Sequence, residues 1–227
     1  HGLDCDDSNY SINPGVSEVC GNAVDDNCSG EIDENNAMTF DGVSYAEGTV
    51  FLPQGNDPRT MEAWIKTTSD GMVVFNWGNT NAYERCGIII GGGKLYFVGE
   101  YNDAIGNITV NDGLWHHLAV SFDGTNLMGY VDGVLDINTT KTLSTVGNTL
   151  RIGRRAVPDD GEYFVGEMDE VRIWNVARTQ AEIQASAANL TNLAPPPPGL
   201  IAYYKFDEVV AAGLNTSVLS FINVVSY

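Results

Sequence analysis

From residue 37 onward, short runs of alternating apolar and polar residues follow one another, and most end at Gly, Asn or Asp. Period-two runs bounded by turn formers predict strands, because side chains along an extended chain point to opposite faces in turn. The runs are AMTFDG (37–42), TMEAWIKT (60–67), MVVFNW (72–77), GIII (87–90), KLYFVGE (94–100), WHHLAVSFDG (115–124), NLMGYVDGVLD (126–136), TLRIG (149–153) and VGEMDEVRIWNV (165–176). Asp-Gly pairs in FDGTN and VDGVL predict tight hairpins, since both central positions of such a turn favour residues that tolerate positive φ. One helix stands out, in TQAEIQASAANL (179–190), where Thr179 and Glu182 stand at capping-box spacing and predict its start. APPPPG (194–199) predicts a stiff connector, and GLIAYYKFDE (199–208) one further strand. The predicted fold is all-β, an antiparallel two-sheet sandwich with one short helix. The chain divides into a front segment at 1–36, the sandwich at 37–208 and a tail at 209–227. Within the tail, NTSVLSFINVVSY is apolar, charge-free and β-prone. It reads as the first strand of a following domain, a strand added to this one, or a strand given to a neighbouring molecule for self-association.

Residues 1–36 break this pattern. They carry few apolar side chains but many acids, and three of the four cysteines. Such a stretch buries too little apolar surface to fold on a core of its own. In DDNCSGEIDE, oxygen donors recur at Asp25, Asn27, Ser29 and Asp33, with Glu31 among them and Gly30 at the sixth place of the loop. That register matches the first two-thirds of a calcium loop, although Asn36 stands where a bidentate Glu would close it. DCDDSNY repeats the alternation with Asp4, Asp6 and Ser8, and Glu18 is placed to complete the site beyond the NPG turn. Hard oxygen donors select Ca²⁺, with two or more sites expected. An even cysteine count in this setting predicts disulfides and an oxidising compartment. Four cysteines allow three pairings. Cys5–Cys20 with Cys28–Cys86 is the preferred one, and a free, buried Cys86 the alternative.

Charge narrows the partners. Eleven basic residues face thirty acidic ones, a formal net charge of −19. That disfavours nucleic acid and anionic membrane surfaces, both of which need Lys/Arg clusters. No apolar run is long enough for membrane insertion as a helix.

Two resemblances attach to these residues. The pattern DCDD…NPG…E.C…D.NC.GEID resembles a short Asp/Cys-rich metal-binding repeat of secreted bacterial proteins, a family named after a copper-binding surface protein; thrombospondin calcium repeats are a more distant likeness. MEAWIKT, WHHLAVSFDGTNLMGYVDGV, LRIGRR, FVGEMDEVRIWNVARTQAEIQA and GLIAYYKFDE together resemble the laminin-G-like, concanavalin-A-like jelly roll. Together they imply an exported bacterial protein, extracellular or on the cell surface, that adheres or binds carbohydrate or another surface polymer. The jelly-roll resemblance also implies a structural calcium, with Asp169 as its ligand. A structural fibre subunit is the alternative, and a glycoside hydrolase the third reading.

Catalysis is not expected. EMDEVR offers Glu167 and Asp169 to a jelly-roll hydrolase motif, but Arg172 stands where its second carboxylate belongs. Strict alternation also sets Glu170 on the opposite face. His116 and His117 are adjacent, must point apart on a strand, and so cannot share a metal. Aliphatic residues on one face of MEAWIKT and DEVRIWN leave Trp64 and Trp174 together on the other, either as a sugar platform or as a second buried layer. Trp77, Tyr83, Arg85, Tyr101 and Tyr163 complete the candidate ligand contacts.

Overall fold

The computed structural model describes residues 9, 12–13, 28, 37–155, 162–188, 196–206 and 219–220. The chain forms two compact units, one of residues 1–38 and 205–214, the other of residues 39–204 and 215–227. In the first, the described residues include a turn in which the Ile12 amide donates to the Asn9 carbonyl at 2.9 Å. The expected metal ligands Asp4, Asp6, Ser8, Glu18, Asp25, Asn27, Ser29, Glu31 and Asp33 lie outside the described residues, as do Cys5 and Cys20.

The second unit is an antiparallel two-sheet sandwich with one helix. Its first sheet runs β1 (Met38–Asp41), β12 (Val165–Trp174), β3 (Arg59–Lys66), β8 (Trp115–Phe122), β9 (Asn126–Val131), β10 (Val134–Thr140), with β13 (Leu200–Tyr204) also on β12. Its second sheet runs β14 (Leu219–Ser220), β2 (Ala46–Thr49), β11 (Thr149–Ile152), β4 (Met72–Trp77), β5 (Cys86–Gly91), β6 (Lys94–Val98), β7 (Ala104–Thr109). Every strand expected between 37 and 208 occurs. β2 and β7 were not expected: AEGT and AIGNIT lack a strong apolar alternation and become strands through their neighbours. In the tail, Leu219–Ser220 pairs parallel with Ala46–Glu47 of the same chain.

Pairing register places Met61, Ala63 and Ile65 of β3 against Val120, Leu118 and His116 of β8. Met61, Ala63, Ile65, Leu118 and Val120 are inaccessible to water, as are Phe75, Ile88 and Phe97 of the second sheet. Arg59 is buried within this core. Its guanidinium lies 6.0 Å from the Trp77 ring and 5.8 Å from that of Phe122, and donates to Thr145 Oγ1 and the carbonyls of Gln54 and Gly55. Both Asp-Gly hairpins form. Between β9 and β10, Asp132 and Gly133 hold φ of 52° and 73°, the left-handed pair a two-residue turn requires. Helix α1 (Gln180–Ala188) opens on the expected capping box: the Thr179 amide donates to Glu182 Oε2 at 2.7 Å.

Two expectations fail here. Cys86 is a free thiol buried between the sheets, 3.7 Å from Met61 Sδ, so it forms no bridge to Cys28. Strict alternation along β12 also fails. Asp169 pairs with Trp64 and Arg172 with Glu62, so Glu170 and Val171 together span the single residue Ala63. Glu170 takes a φ of 52°, and this bulge brings Glu167, Asp169, Arg172 and Trp174 onto one face.

Candidate functional site

Two regions of the sandwich collect polar and aromatic side chains. The first is the face of the β3–β8–β12 sheet turned away from the core. Glu62 is fully buried there, 3.3 Å from His117 Nε2 and ion-paired with Arg178. Burial pushes the Glu62 carboxyl up, but the neighbouring His117 imidazole and the Arg178 charge outweigh it, and the group lies below the ordinary carboxylate range. Arg178 also donates to Ser186 Oγ and the Glu182 carbonyl, and its guanidinium lies 4.2 Å from the Trp174 ring centre. Ile183 of α1 packs on Ala119 and Tyr130. Arg172 pairs with Glu170, whose carboxylate accepts from Tyr203 Oη at 2.7 Å. The helix thus covers this face, and Tyr203 of the neighbouring strand β13 adds to it. Trp174 is 3% exposed, while Trp64 is half-buried with its ring 5.5 Å from His117. Trp174 thus belongs to a buried second layer, with Trp64 at its half-buried margin.

The second region lies at one end of the sandwich, where four connections converge. The β10–β11 connection (141–148) is the common strut. Its Ser144 amide donates to the Tyr83 carbonyl at 2.8 Å, its Leu143 amide to Asn56 Oδ1 at 2.8 Å, and its Lys141 amide to the Thr125 carbonyl at 2.9 Å. The Thr142 carbonyl accepts from Asn102 Nδ2 at 2.8 Å. Tyr83 in the β4–β5 loop donates its amide to the Glu100 carbonyl of the β6–β7 loop at 2.9 Å. Between these loops lies a groove of about 440 Å³ lined by Tyr83, Asn102, Thr125, Thr140, Lys141, Thr142 and Ser144.

The backbone beneath the groove is held against its preferences. Tyr83, Glu100 and Tyr101 take φ of 68°, 47° and 65°, a region that costs an ordinary L-residue about 1–3 kcal/mol. Several contacts hold them there. Arg85 is buried below and pairs with Glu100 at 3.0 Å, and Arg155 approaches the same carboxylate at 3.7 Å. Asp103 accepts from Tyr96 Oη at 2.9 Å and from the Gly99 amide at 2.8 Å. Gly78 turns the β4–β5 loop at φ 100°, where a Cβ would meet the Glu84 carbonyl at 2.1 Å. The product of this bracing is exposure: Tyr83 is 45% and Tyr101 80% accessible.

The expected ligand contacts therefore separate. Tyr83 lines the groove and Tyr101 precedes groove-lining Asn102 in the chain. Arg85 lies under the loops, and Trp77 is wholly inside the core, because its strand turns it toward Arg59. Tyr163 belongs to another cluster, 6.3 Å from Tyr45, with the Arg154 guanidinium 4.6 Å and 5.5 Å from the two rings. Asp169 is nearly buried and accepts from the Glu170 amide at 2.7 Å. Among the described residues, no group of three or more His, Cys, Asp or Glu is arranged to hold a metal. His116 and His117 do point apart: His116 bonds Asp132 and Asp112, at 2.8 and 3.2 Å, while His117 meets Glu62. Asn102, Lys141 and the groove hydroxyls were missed. A signal for Thr140, Lys141, Thr142 and Ser144 was present in NTTKTLST (138–145), a hydroxyl-rich run that leads out of β10.

Comparison with known proteins agrees with this architecture. The sequence pattern described as the concanavalin A-like lectin/glucanases superfamily, of laminin G type, matches residues 38–184. A Cu-binding, MopE-type metal-binding motif matches residues 4–34. No curated protein matches the chain in sequence. Among solved structures, domain 4 of AbnA, an extracellular GH43 arabinanase from Geobacillus stearothermophilus, in complex with arabinotriose, is similar at 22% identity and a TM-score of 0.55, over 66% of this chain and 76% of that one. The SAP-like pentraxin of Limulus polyphemus aligns with 78% of this chain and 94% of its own at 15% identity and TM-score 0.58. The CBM40 of the Ruminococcus gnavus IT-sialidase, bound to α2,3-sialyllactose, aligns with 67% of this chain and 98% of its own at 12% identity and TM-score 0.51. The chain belongs to the concanavalin A-like lectin/glucanases superfamily.

Proposed function

We propose that this member of the superfamily is a non-catalytic carbohydrate-binding module, and that its glycan lies in the groove between the β4–β5, β6–β7, β8–β9 and β10–β11 connections. The observation that carries this reading is Tyr83, held exposed on left-handed backbone at a groove otherwise walled by hydroxyls, an amide and the Lys141 ammonium, with Tyr101 exposed on the next loop. Sugars offer one face of C–H groups and a rim of hydroxyls, which an aromatic ring and short polar side chains complement. The bound oligosaccharides of the arabinanase domain and the sialidase CBM40 add support from the fold. Titration calorimetry against immobilised-array hits tests it. Tyr83→Ala should weaken binding about tenfold, the worth of one aromatic stacking contact; an array with no hit, or a hit indifferent to Tyr83, would sink the reading.

A hydrolase is less well supported. Glu167 is ion-paired with Lys66 at 3.2 Å, and the bulge sets Arg172, not a carboxylate, on the same face beyond Asp169. Such a site lacks the second free carboxyl that retaining hydrolysis uses.

For residues 4–34 we propose calcium rather than copper. The donors at Asp4, Asp6, Ser8, Glu18, Asp25, Asn27, Ser29, Glu31 and Asp33 are all oxygens, whereas copper favours imidazole and sulfur. Export and adhesion follow from the same reading, since a calcium-braced repeat suits calcium-rich extracellular surroundings. Melting the full chain with calcium and with chelator tests the metal: calcium should raise Tm, as any ligand of the native state does. A Tm raised by copper alone would reverse the assignment.

A further inference from the structure

The wall of the groove carries one cationic side chain in a strongly acidic chain. Thirty acidic residues face eleven basic ones in the chain. Six of those basic side chains are paired with acids: Lys66, Arg85, Arg151, Arg155, Arg172 and Arg178. Lys141 is not. Its Nζ donates at 2.7 Å to a backbone carbonyl, that of Asp103, and among the described residues it has no carboxylate partner. An ammonium carries three donors, so this contact leaves two for a ligand.

The acids on the surrounding loops are occupied elsewhere. Asp103 is bound by Tyr96 and the Gly99 amide, Glu100 by Arg85 and Arg155, and Glu84 by the amides of Asn79 and Asn81. Asp123 is consumed by the turn it forms, accepting from the Thr125 and Asn126 amides at 2.8 and 2.7 Å. Among the described residues, no carboxylate lines the groove, and Lys141 is its single cationic side chain. In a chain of this net charge, an anionic ligand is repelled almost everywhere else. A neutral sugar would need no such arrangement, because hydroxyls and amides satisfy its hydroxyls equally well.

We propose that the groove selects a glycan bearing a negatively charged sugar unit, with Lys141 Nζ pairing its anionic group while Tyr83 stacks on a ring and the Thr and Ser hydroxyls take the sugar hydroxyls. This rests on the carbohydrate-binding reading of the same groove. A uronate and a sialate would present the same charge to Lys141, so the test uses both sources. The full chain is titrated with trigalacturonate and its methyl ester, and with sialyllactose and lactose, as wild type, Lys141→Gln and Tyr83→Ala. The expected result is that at least one acid binds more tightly than its neutral counterpart. Lys141→Gln should then erase that preference, a loss of about fivefold for a partly exposed ion pair, and added salt should do the same. Tyr83→Ala should weaken acid and neutral partner alike. Neutral sugars that bind as well as the acids, in a Tyr83-dependent and Lys141-independent way, would overturn the charge selection and leave the carbohydrate reading standing. Failure of all four probes to bind would overturn the charge selection as well.

Discussion

The sealed face under α1 and the open groove at the loop end are built from the same kinds of residue, yet their side chains have opposite fates. Under the helix, Glu62, His117, Arg172, Trp174 and Arg178 turn inward on one another and are withdrawn from water. At the groove, buried Arg85 and Glu100 pair in a similar manner, but the pair props up a backbone that pushes Tyr83 and Tyr101 outward. Residue type therefore does not separate a binding surface from a structural layer; what covers it does. A helix seals the first, while loops tied to one strut leave the second open.

The largest effect that would test this contrast is expected at Glu62. Glu62→Leu leaves His117 and Arg178 buried beside an apolar group, a loss of about 3 kcal/mol, read as a lower midpoint in urea. Affinity for any glycan should be unchanged; a matching loss of binding would mean that the two regions are not separate. The carboxyl is held below its ordinary range. Its stabilising contribution is therefore complete above the unfolded-state value and is lost as pH falls through the depressed folded one. Glu62→Gln should flatten that part of the acid limb of the stability profile.

Tyr83 should behave in the reverse way. Tyr83→Gly removes the ring and relieves the left-handed backbone at once. Binding should weaken about tenfold, as for loss of a stacking contact, while stability stays within about 0.5 kcal/mol because relieved strain offsets the entropy of glycine. A large loss of stability would show that the tyrosine is held for packing. A smaller effect is expected at the helix that seals the other face: Thr179→Ala should cost about 1 kcal/mol, the usual worth of an N-cap.

Most of the sandwich was legible because period-two alternation and Asp-Gly turns are local signals. MVVFNW coincides with β4, and the two Asp-Gly pairs mark their hairpins. The capping box located α1, but nothing in TQAEIQASAANL says which face of the sheet it covers. Local rules failed where a single residue broke the period: Glu170 in a left-handed conformation reversed the facing of everything after it on β12. Trp77 read as a ligand contact because aromatic content alone does not distinguish core from rim. The groove was only half visible, since its strut, 141–148, carries no motif. Its importance comes from hydrogen bonds to loops distant in sequence, such as Ser144 to Tyr83 and Leu143 to Asn56.

The most specific test concerns Tyr96, which anchors the loop bearing Tyr101 and Asn102. Its hydroxyl donates to Asp103, whose other oxygen holds the Gly99 amide. Burial, then the hydrogen bond and charge of Asp103, push the phenol up from 10.0 to about 12. A raised folded value means that the folded state holds this proton more tightly than the unfolded chain does. The anchor's contribution is therefore complete below pH 10.0 and fades as pH rises toward about 12. Tyr96→Phe removes one hydrogen bond to a charged acceptor and should cost about 1.5 kcal/mol at neutral pH. The gap between wild type and variant should then close over that alkaline interval. A gap that persists unchanged beyond the interval would mean that the phenol acts by packing, and that the loop presenting Tyr101 is braced chiefly by the Arg85–Glu100 pair beneath it.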